Sequence, residues 1–395
     1  MTTKSTIAWK RIGTLALALT LAWGLGPAQA QSGVNAAAAA SCGNGDHGLS
    51  AALKQGSGVE DQHLQFTDID FLNNTTGRAA GEGFLIGTSN AGCTWQSIYT
   101  GQWQFTQIDF PNNVYGFALA QMKDSAKTYL IRTTDGGSHW KRLDTPGMQF
   151  KRIEFKNKNE GYGYTYNGAY RTQDGGLSWT KINTPANTRS VAFTTDKQGY
   201  AAQVVPGLGY HLLRTTDGGK NWTTSLKVAS ASWNGADLYA SGKQVWAVLY
   251  GDSGMSQQSY SLYASGNEGG NWRQVFAQST AGGGPAPGSS SEGNGKGPAD
   301  PGSHAGNMSL IGNQTAYLSA GSLAAGKVGV GRSYDAGSTW KNIDLKDPGY
   351  SSRISFPSAK TGWLVVTSDN SPAIYQTTDG GNSWAQKMLL PSERD

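Results

Sequence analysis

Five histidines, two cysteines and 27 acidic residues are the groups that could carry chemistry in this chain of 395 residues. His47, His63, His139, His211 and His304 are scattered, with none of the spacings that gather ligands round a metal ion. No nucleophile elbow, phosphate loop, Cys-x-x-Cys or His-Glu-x-x-His occurs. Glycine-rich pieces such as Gly282-Gly283-Gly284 lie in low complexity, not between a strand and a helix. Neither a cofactor nor a metal is expected. Two-carboxylate chemistry stays open, because glycoside hydrolysis needs only two acids about 5–9.5 Å apart. Asp70, Asp109 and Glu154 are of interest because they recur at one place in a repeated pattern. They could line a channel and hold a cation or polar ligand, or pair locally with Lys or Arg.

The elements that would position these groups are set by an octet, [ST]-x-[DN]-x-G-x-x-W, which occurs seven times. It runs Thr88–Trp95, Thr133–Trp140, Thr172–Trp179, Thr215–Trp222, Ser265–Trp272, Ser333–Trp340 and Thr377–Trp384. Its polar residue (Asn90, Asp135, Asp174, Asp217, Asn267, Asp335, Asp379) can take up backbone N–H groups and hold a turn. The fixed glycine allows a positive φ. The tryptophan (Trp95, Trp140, Trp179, Trp222, Trp272, Trp340, Trp384) then opens the returning strand with a ring that needs burial. Successive octet tryptophans are 45, 39, 43, 50, 68 and 44 residues apart. Without an insert of about 29 residues in the longest gap the period is roughly 43, the size of a four-stranded blade.

A second pattern shares the period. It reads Ile69-Asp70-Phe71 then Gly77, Ile108-Asp109-Phe110 then Gly116-Phe117, and Ile153-Glu154-Phe155 then Gly161-Tyr162. Val191-Ala192-Phe193 then Gly199-Tyr200, and Ile354-Ser355-Phe356 then Gly362-Trp363, continue it. The copies around Leu238–Trp246 and Leu310–Tyr317 are degenerate. Each period holds an inner strand A, a strand B, a strand C entering the octet and a strand D leaving through the tryptophan. No such unit buries both faces alone, so the units must stack. The expectation is an all-β, seven-bladed β-propeller of four-stranded antiparallel blades, with the octet turns between strands C and D.

The octets resemble BNR (Asp-box) repeats. With the upstream Phe and Gly-aromatic pattern they are most similar to propellers of the photosystem II stability/assembly factor-like family, over about 64–390. That resemblance implies a propeller of the WD40/YVTN/BNR-like superfamily acting as a non-catalytic assembly scaffold. Repeats of this kind also occur in sialidases, xyloglucan-active glycosidases and sortilin-type receptors. A sialidase should carry Arg-Ile-Pro before the repeats; Arg353-Ile354-Ser355 is the nearest approach and fails.

Residues 1–30 read as a Sec-type signal peptide. Lys4, Lys10 and Arg11 precede the apolar run Ile12–Leu25, and Ala28-Gln29-Ala30 is a cleavage site. The mature protein is therefore expected outside the cytoplasm, secreted or in the cell envelope, with no membrane-spanning segment. Loss of three cations and no acid lowers the formal charge from +5 to +2, which gives no argument for nucleic acid. Residues 31–61 read as a flexible tether, 62–391 as the propeller and 392–395 as a tail. Cys42 and Cys93 are the two cysteines; in an oxidising compartment they invite one disulfide, against two free thiols or a lipidated Cys42.

Nine of the 13 tryptophans belong to octets or the leader, and Trp246 and Trp363 hold the Gly-aromatic position. Trp103 and Trp233, between blades, are left as candidates for a stacking surface. Arg132, Arg171, Arg214 and Arg332 each precede an octet and form either a positive girdle or caps on octet carbonyls. The face of the B–C and D–A connections carries the irregular loops, including 250–260 and the Gly/Pro/Ser-rich insert 279–307, expected to be disordered. Tyr162, Tyr164 and Tyr166 alternate on one strand. A recognition surface is expected on this face, with Tyr166, Trp233, Tyr250, Asp252, Met255 and Tyr260 as candidates. The expected function is recognition of a protein partner by a monomer; a glycoside hydrolase or a lectin acting on extracellular polysaccharide is the alternative.

Overall fold

The computed structural model describes residues 42–58, 64–289 and 297–390. The expected leader and tail lie outside them. Apart from one helix, Ser50–Ser57, the regular elements are antiparallel strands, and they form six sheets. Five are four-stranded, with strands in chain order: 152–182, 188–229, 235–278, 304–348 and 351–389. The sixth, first in the chain, has six strands: Phe66–Phe71, Gly77–Thr88, Gln96–Asp109, Gly116–Met122, Thr128–Thr133 and Lys141–Arg142.

This corrects the expected blade count: the propeller has six blades, not seven. The octets Thr88–Trp95 and Thr133–Trp140 share the first sheet. Two long strands join the first two repeats there. Gly77–Thr88 bends at Gly83, where φ is +81°, but stays extended on both sides. Gln96–Asp109 pairs with it at Gln96–Thr100 and with the following strand at Trp103–Asp109. The outgoing strand of one repeat is thus the inner strand of the next. Octets count repeats, and repeats need not each make a separate sheet.

The register explains the repeat. In five repeats a glycine or alanine of strand B faces the hydroxyl residue that opens the octet: Gly116 and Thr133, Gly161 and Thr172, Gly199 and Thr215, Ala316 and Ser333, Gly362 and Thr377. All seven hydroxyls are buried. Thr133 is representative: Oγ1 accepts the Gly137 N–H at 3.0 Å and donates to Asp135 Oδ1 at 2.7 Å, which accepts the His139 N–H at 3.0 Å. The other six turns repeat these three bonds. Positive φ extends one residue further back than the fixed glycine, even where Ala91, Glu268 and Ala336 stand there.

Apolar clusters lie between neighbouring sheets, with one inside the larger first sheet. Another joins the last sheet to the first, where Trp363 stacks on Phe71 at 3.6 Å, so the ring closes. Of the octet tryptophans Trp95 is buried and the other six are half-buried. Several meet the strand-A phenylalanine of their own repeat edge-on, as Trp179 meets Phe155.

The described parts of two stretches expected to be loose are packed. Within 42–58 a disulfide joins Cys42 to Cys93, and Leu53 is fully buried against the first and last sheets. Gly45 O accepts the Leu389 N–H at 3.2 Å, and His47 Nε2 lies 2.8 Å from Lys387 O. In the insert, Pro287 O accepts the Ser261 hydroxyl and Gly302 O the Tyr260 hydroxyl, while Ala286 is 2 % exposed. Composition hid both, because backbone carbonyls such as Gly45 O, Pro287 O and Gly302 O take part in these contacts and carry no sequence signal.

Candidate functional site

The inner strands of all six sheets line a central cavity of about 640 Å³. Alternation along strand A puts every second side chain toward it. Asp68 and Asp70 therefore enter from the first inner strand, Asp109 from the second repeat, Arg152 and Glu154 from 152–155, and Arg353 from 351–355.

The acids are held by backbone rather than by cations. Asp68 Oδ2 accepts the Ile108 N–H at 2.8 Å and Asp70 Oδ2 the Phe110 N–H at 2.7 Å. Asp109 Oδ2 accepts the Phe155 N–H at 2.6 Å. Elsewhere hydroxyls serve: Ser309 accepts from Phe356, and Ser355 from Phe71. In three repeats the residue before the strand-A phenylalanine (Asp70, Asp109, Ser355) is thus an acceptor for the next inner strand, and in the repeat with Ala192 there the Ser190 hydroxyl accepts the Leu238 N–H instead. Glu154 differs; its Oε2 lies 3.5 Å from the Tyr164 hydroxyl. Arg152 spans three sheets, donating to Val191 O at 2.7 Å and Leu238 O at 2.5 Å, with its guanidinium 4.4 Å from the Tyr164 ring centre.

Burial and crowding raise the proton affinity of these carboxyls. Asp68 is pushed up to about 6 by burial, against the Ile108 N–H and Arg353. Asp70 is pushed up to about 7 by burial, opposed by the Phe110 N–H and aided by repulsion from Asp68. Asp109 lies well above the carboxylate range, through burial and then its neighbours Asp70 and Glu154. Burial raises Glu154 too, with Arg152 opposing. Among the described residues no group of three or more His, Cys, Asp or Glu is placed to hold a metal ion.

Of the expected recognition residues, Tyr166 and Tyr250 line the cavity. Tyr166 is 46 % exposed, its ring between Lys151 Nζ at 4.6 Å and the Arg189 guanidinium at 5.0 Å. The Tyr250 hydroxyl donates to Asp237 Oδ2 at 2.8 Å. Asp252 is exposed and accepts from Asn234 Nδ2 at 2.8 Å, and Met255 is fully exposed. Trp233 is half-buried on its sheet, and Trp103 packs edge-on to Tyr129. Tyr260 is fully buried and packs in the core, so it presents nothing to a partner.

Asp68, Arg152, Asp237, Tyr239 and Arg353 were not singled out from the sequence, though two-residue alternation from Asp70, Glu154 and Ser355 points to three of them. Of the four arginines before octets, Arg132 donates to Gly175 O at 3.3 Å and Arg332 to Gly380 O, each in the next repeat's octet. Those two are caps on octet carbonyls. Arg78, one strand earlier, does the same to Gly136 O at 3.0 Å.

No protein-family model matches the chain, and no curated protein matches it in sequence. Solved structures match in fold. A GH74 enzyme of Niastella koreensis aligns with TM-score 0.55 and 15% identity, covering 83% of this chain and 54% of that one. The GH74 xyloglucanase of Xanthomonas campestris gives 0.52 and 13%, covering 83% and 55%. The chain thus spans about half the length of either enzyme. A structure described as YCF48 bound to D1 peptide gives 0.48 and 17%, covering 78% of this chain and 90% of that one. Sheet topology and the first two likenesses together show that the fold is a β-propeller.

Proposed function

We propose that the chain is a non-catalytic recognition scaffold, working outside the cytoplasm, that binds a protein partner at the mouth of its central cavity. The observation that supports this most is how the cavity acids are used. Asp68, Asp70 and Asp109 each commit an oxygen to the next inner strand's N–H, so they maintain the ring. The mouth instead offers Tyr166 between two cations, with Tyr250 and Asp252 nearby. A rigid aromatic ring beside charge suits a protein partner, since such a ring contributes contact area at little entropy loss.

A glycoside hydrolase is the second reading. The observation in its favour is a set of buried carboxyls with raised proton affinity beside Tyr164, Tyr239 and Tyr250 in one cavity. One experiment separates the two. The purified protein is assayed on xyloglucan and other extracellular polysaccharides, and used to capture partners from the envelope or secreted fraction. Scaffold function predicts no hydrolysis, and capture of a protein that is lost with Tyr166→Ala and Arg189→Glu. Hydrolysis abolished by Asp109→Asn or Glu154→Gln would overturn it.

A further inference from the structure

A second cavity of about 360 Å³ lies between the sheet 152–182 and the sheet 188–229, beside the octet turn Thr215–Trp222. The equivalent notch between the first two repeats has no lysine; its one charged side chain, Arg78, is already tied to Gly136 O and Asn113 O. The cavity between the two sheets is lined by Arg171, Lys181 and Lys220, against one acid, Asp196.

The repeats show what is different here. Arg78, Arg132 and Arg332 each satisfy a carbonyl in the following octet. Arg171 and Arg214 stand at the position of Arg132 and Arg332 without such a bond among the described residues, and the Arg171 guanidinium stops 4.0 Å from Glu160 and 3.9 Å from Asp196. Those are loose ion pairs, beyond hydrogen-bond length. Lys181 and Lys220 are exposed and have no ion pair among the described residues.

Tyr162 gives an independent sign. It is 3 % exposed and lines the cavity, yet its hydroxyl makes no hydrogen bond among the described residues. In the same place in other repeats the Tyr200 hydroxyl is met by Gln198 Nε2 at 3.0 Å, and the Tyr317 hydroxyl donates to Ala359 O at 2.6 Å. The Tyr162 hydroxyl is instead reached by solvent from the cavity, so it is free to donate to an occupant there.

We propose that this cavity binds a tetrahedral oxyanion, a phosphate or sulfate group, with Tyr162 and Arg171 as hydrogen-bond donors and Lys181 and Lys220 supplying charge. The volume exceeds what one such ion fills, and Gln173 and Asn183 line the remainder. The group can therefore come as the free ion or as an ester on a monosaccharide. The site lies beside an octet turn, away from the mouth of the central cavity, and does not depend on the function proposed for that mouth.

Calorimetric titration of the full chain with inorganic sulfate, inorganic phosphate and glucose 6-phosphate tests the assignment. Saturable binding of at least one is expected. Similar affinity for all three assigns the site to the free ion, and about tenfold tighter binding of the ester assigns it to the saccharide. Removing any one charge-assisted hydrogen bond to the anion should weaken binding by about tenfold. Lys181→Glu with Lys220→Glu should therefore abolish detectable binding, and Tyr162→Phe should weaken it with the melting temperature retained. Asp196→Asn should tighten binding, because it removes the carboxylate that competes for Arg171. No saturable binding of any probe, or binding that survives the double lysine reversal, would overturn the proposal.

Discussion

Phe155 of the second sheet lies flat on Phe117 of the first, with ring centroids 3.4 Å apart and planes 2° from parallel. The same stack recurs where Tyr317 meets Phe356 and Trp363 meets Phe71. Each such phenylalanine also covers the glycine that opens strand B of its own repeat. A Cβ on Gly161 would stand 2.5 Å from Phe155 Cδ1, and one on Gly362 2.3 Å from Phe356. The glycine is therefore required by space, since φ there is not positive. Gly161→Ala would displace a ring clamped on both faces and should cost about 1–3 kcal/mol. Gly168→Ala in the same sheet, with its nearest atoms 3.8 Å away, should change stability by no more than about 0.5 kcal/mol. Denaturant midpoints of the two variants decide it; equal stability would remove the stack from the explanation of the repeat.

A second prediction concerns the hydroxyl that opens each octet. Thr133 is 1 % exposed and its Oγ1 is the partner of the Gly137 N–H. Thr133→Val keeps the shape and leaves that N–H buried without an acceptor, which should destabilise by about 1–3 kcal/mol. Thr133→Ser should stay near wild type, because Ser265 and Ser333 fill the same role in other repeats. Chemical denaturation of both variants checks the pair, and equal losses would mean that packing of the methyl group matters rather than the oxygen.

The octets were legible because the turn needs a fixed set of atoms: one hydroxyl, one amide or carboxyl oxygen, and a glycine at a set spacing. The strand-A acids were legible as a recurrence, while their partners were not. Asp70 and Asp109 bond to backbone N–H groups 40 and 46 residues on, and backbone carries no sequence signal. The blade count escapes the sequence for a related reason. Whether extended backbone continues through Gly101 and Gln102 or breaks there depends on pairing, and both outcomes are open to the same residues. Tyr260 shows a limit of a different kind: a tyrosine in a long loop segment reads as surface, while in the fold it is fully buried against Phe276 with its hydroxyl on the Gly302 carbonyl.

The seam between the first and last sheets yields a third prediction. Among the described residues every sheet is built from consecutive strands, and no described strand near one end completes the blade of the other. Instead the segment from Cys42 carries the bond to Cys93 in the first sheet and, three residues later, accepts the Leu389 N–H of the last. The disulfide separates its cysteines by 51 residues, and a loop of that size should contribute about 4 kcal/mol on the chain-entropy account. Cys42→Ser, or reduction of the native protein, should lower stability by an amount of this order. It should also speed hydrogen exchange at Leu389 before exchange in the inner strands. Unchanged exchange at Leu389 would mean that the apolar contacts of Leu53 alone hold the segment.

Acid–base behaviour gives the last prediction, because two sets of carboxyls pull in opposite directions. Asp135, Asp217 and Asp379 in the octets lie low, at about 2, held there chiefly by bonds from the residue four further on. With an unfolded value near 3.9, a lowered group contributes stability that is complete above about pH 4 and lost as pH falls through about 2. Asp68 and Asp70 lie high, at about 6 and about 7. For them the folded state binds the extra proton, so their contribution is complete below about pH 4 and is lost as pH rises toward 7. Stability should therefore peak near pH 4–5 and decline toward neutrality, an unusual profile for a protein with intact octet turns. Asp70→Asn keeps an acceptor for the Phe110 N–H while removing the charge, so its melting temperature should fall less between pH 5 and pH 8 than that of wild type. A variant whose profile runs parallel to wild type over that range would show that Asp70 ionises in the folded ring without penalty, and with it the crowding of acids around the channel would lose its electrostatic consequence.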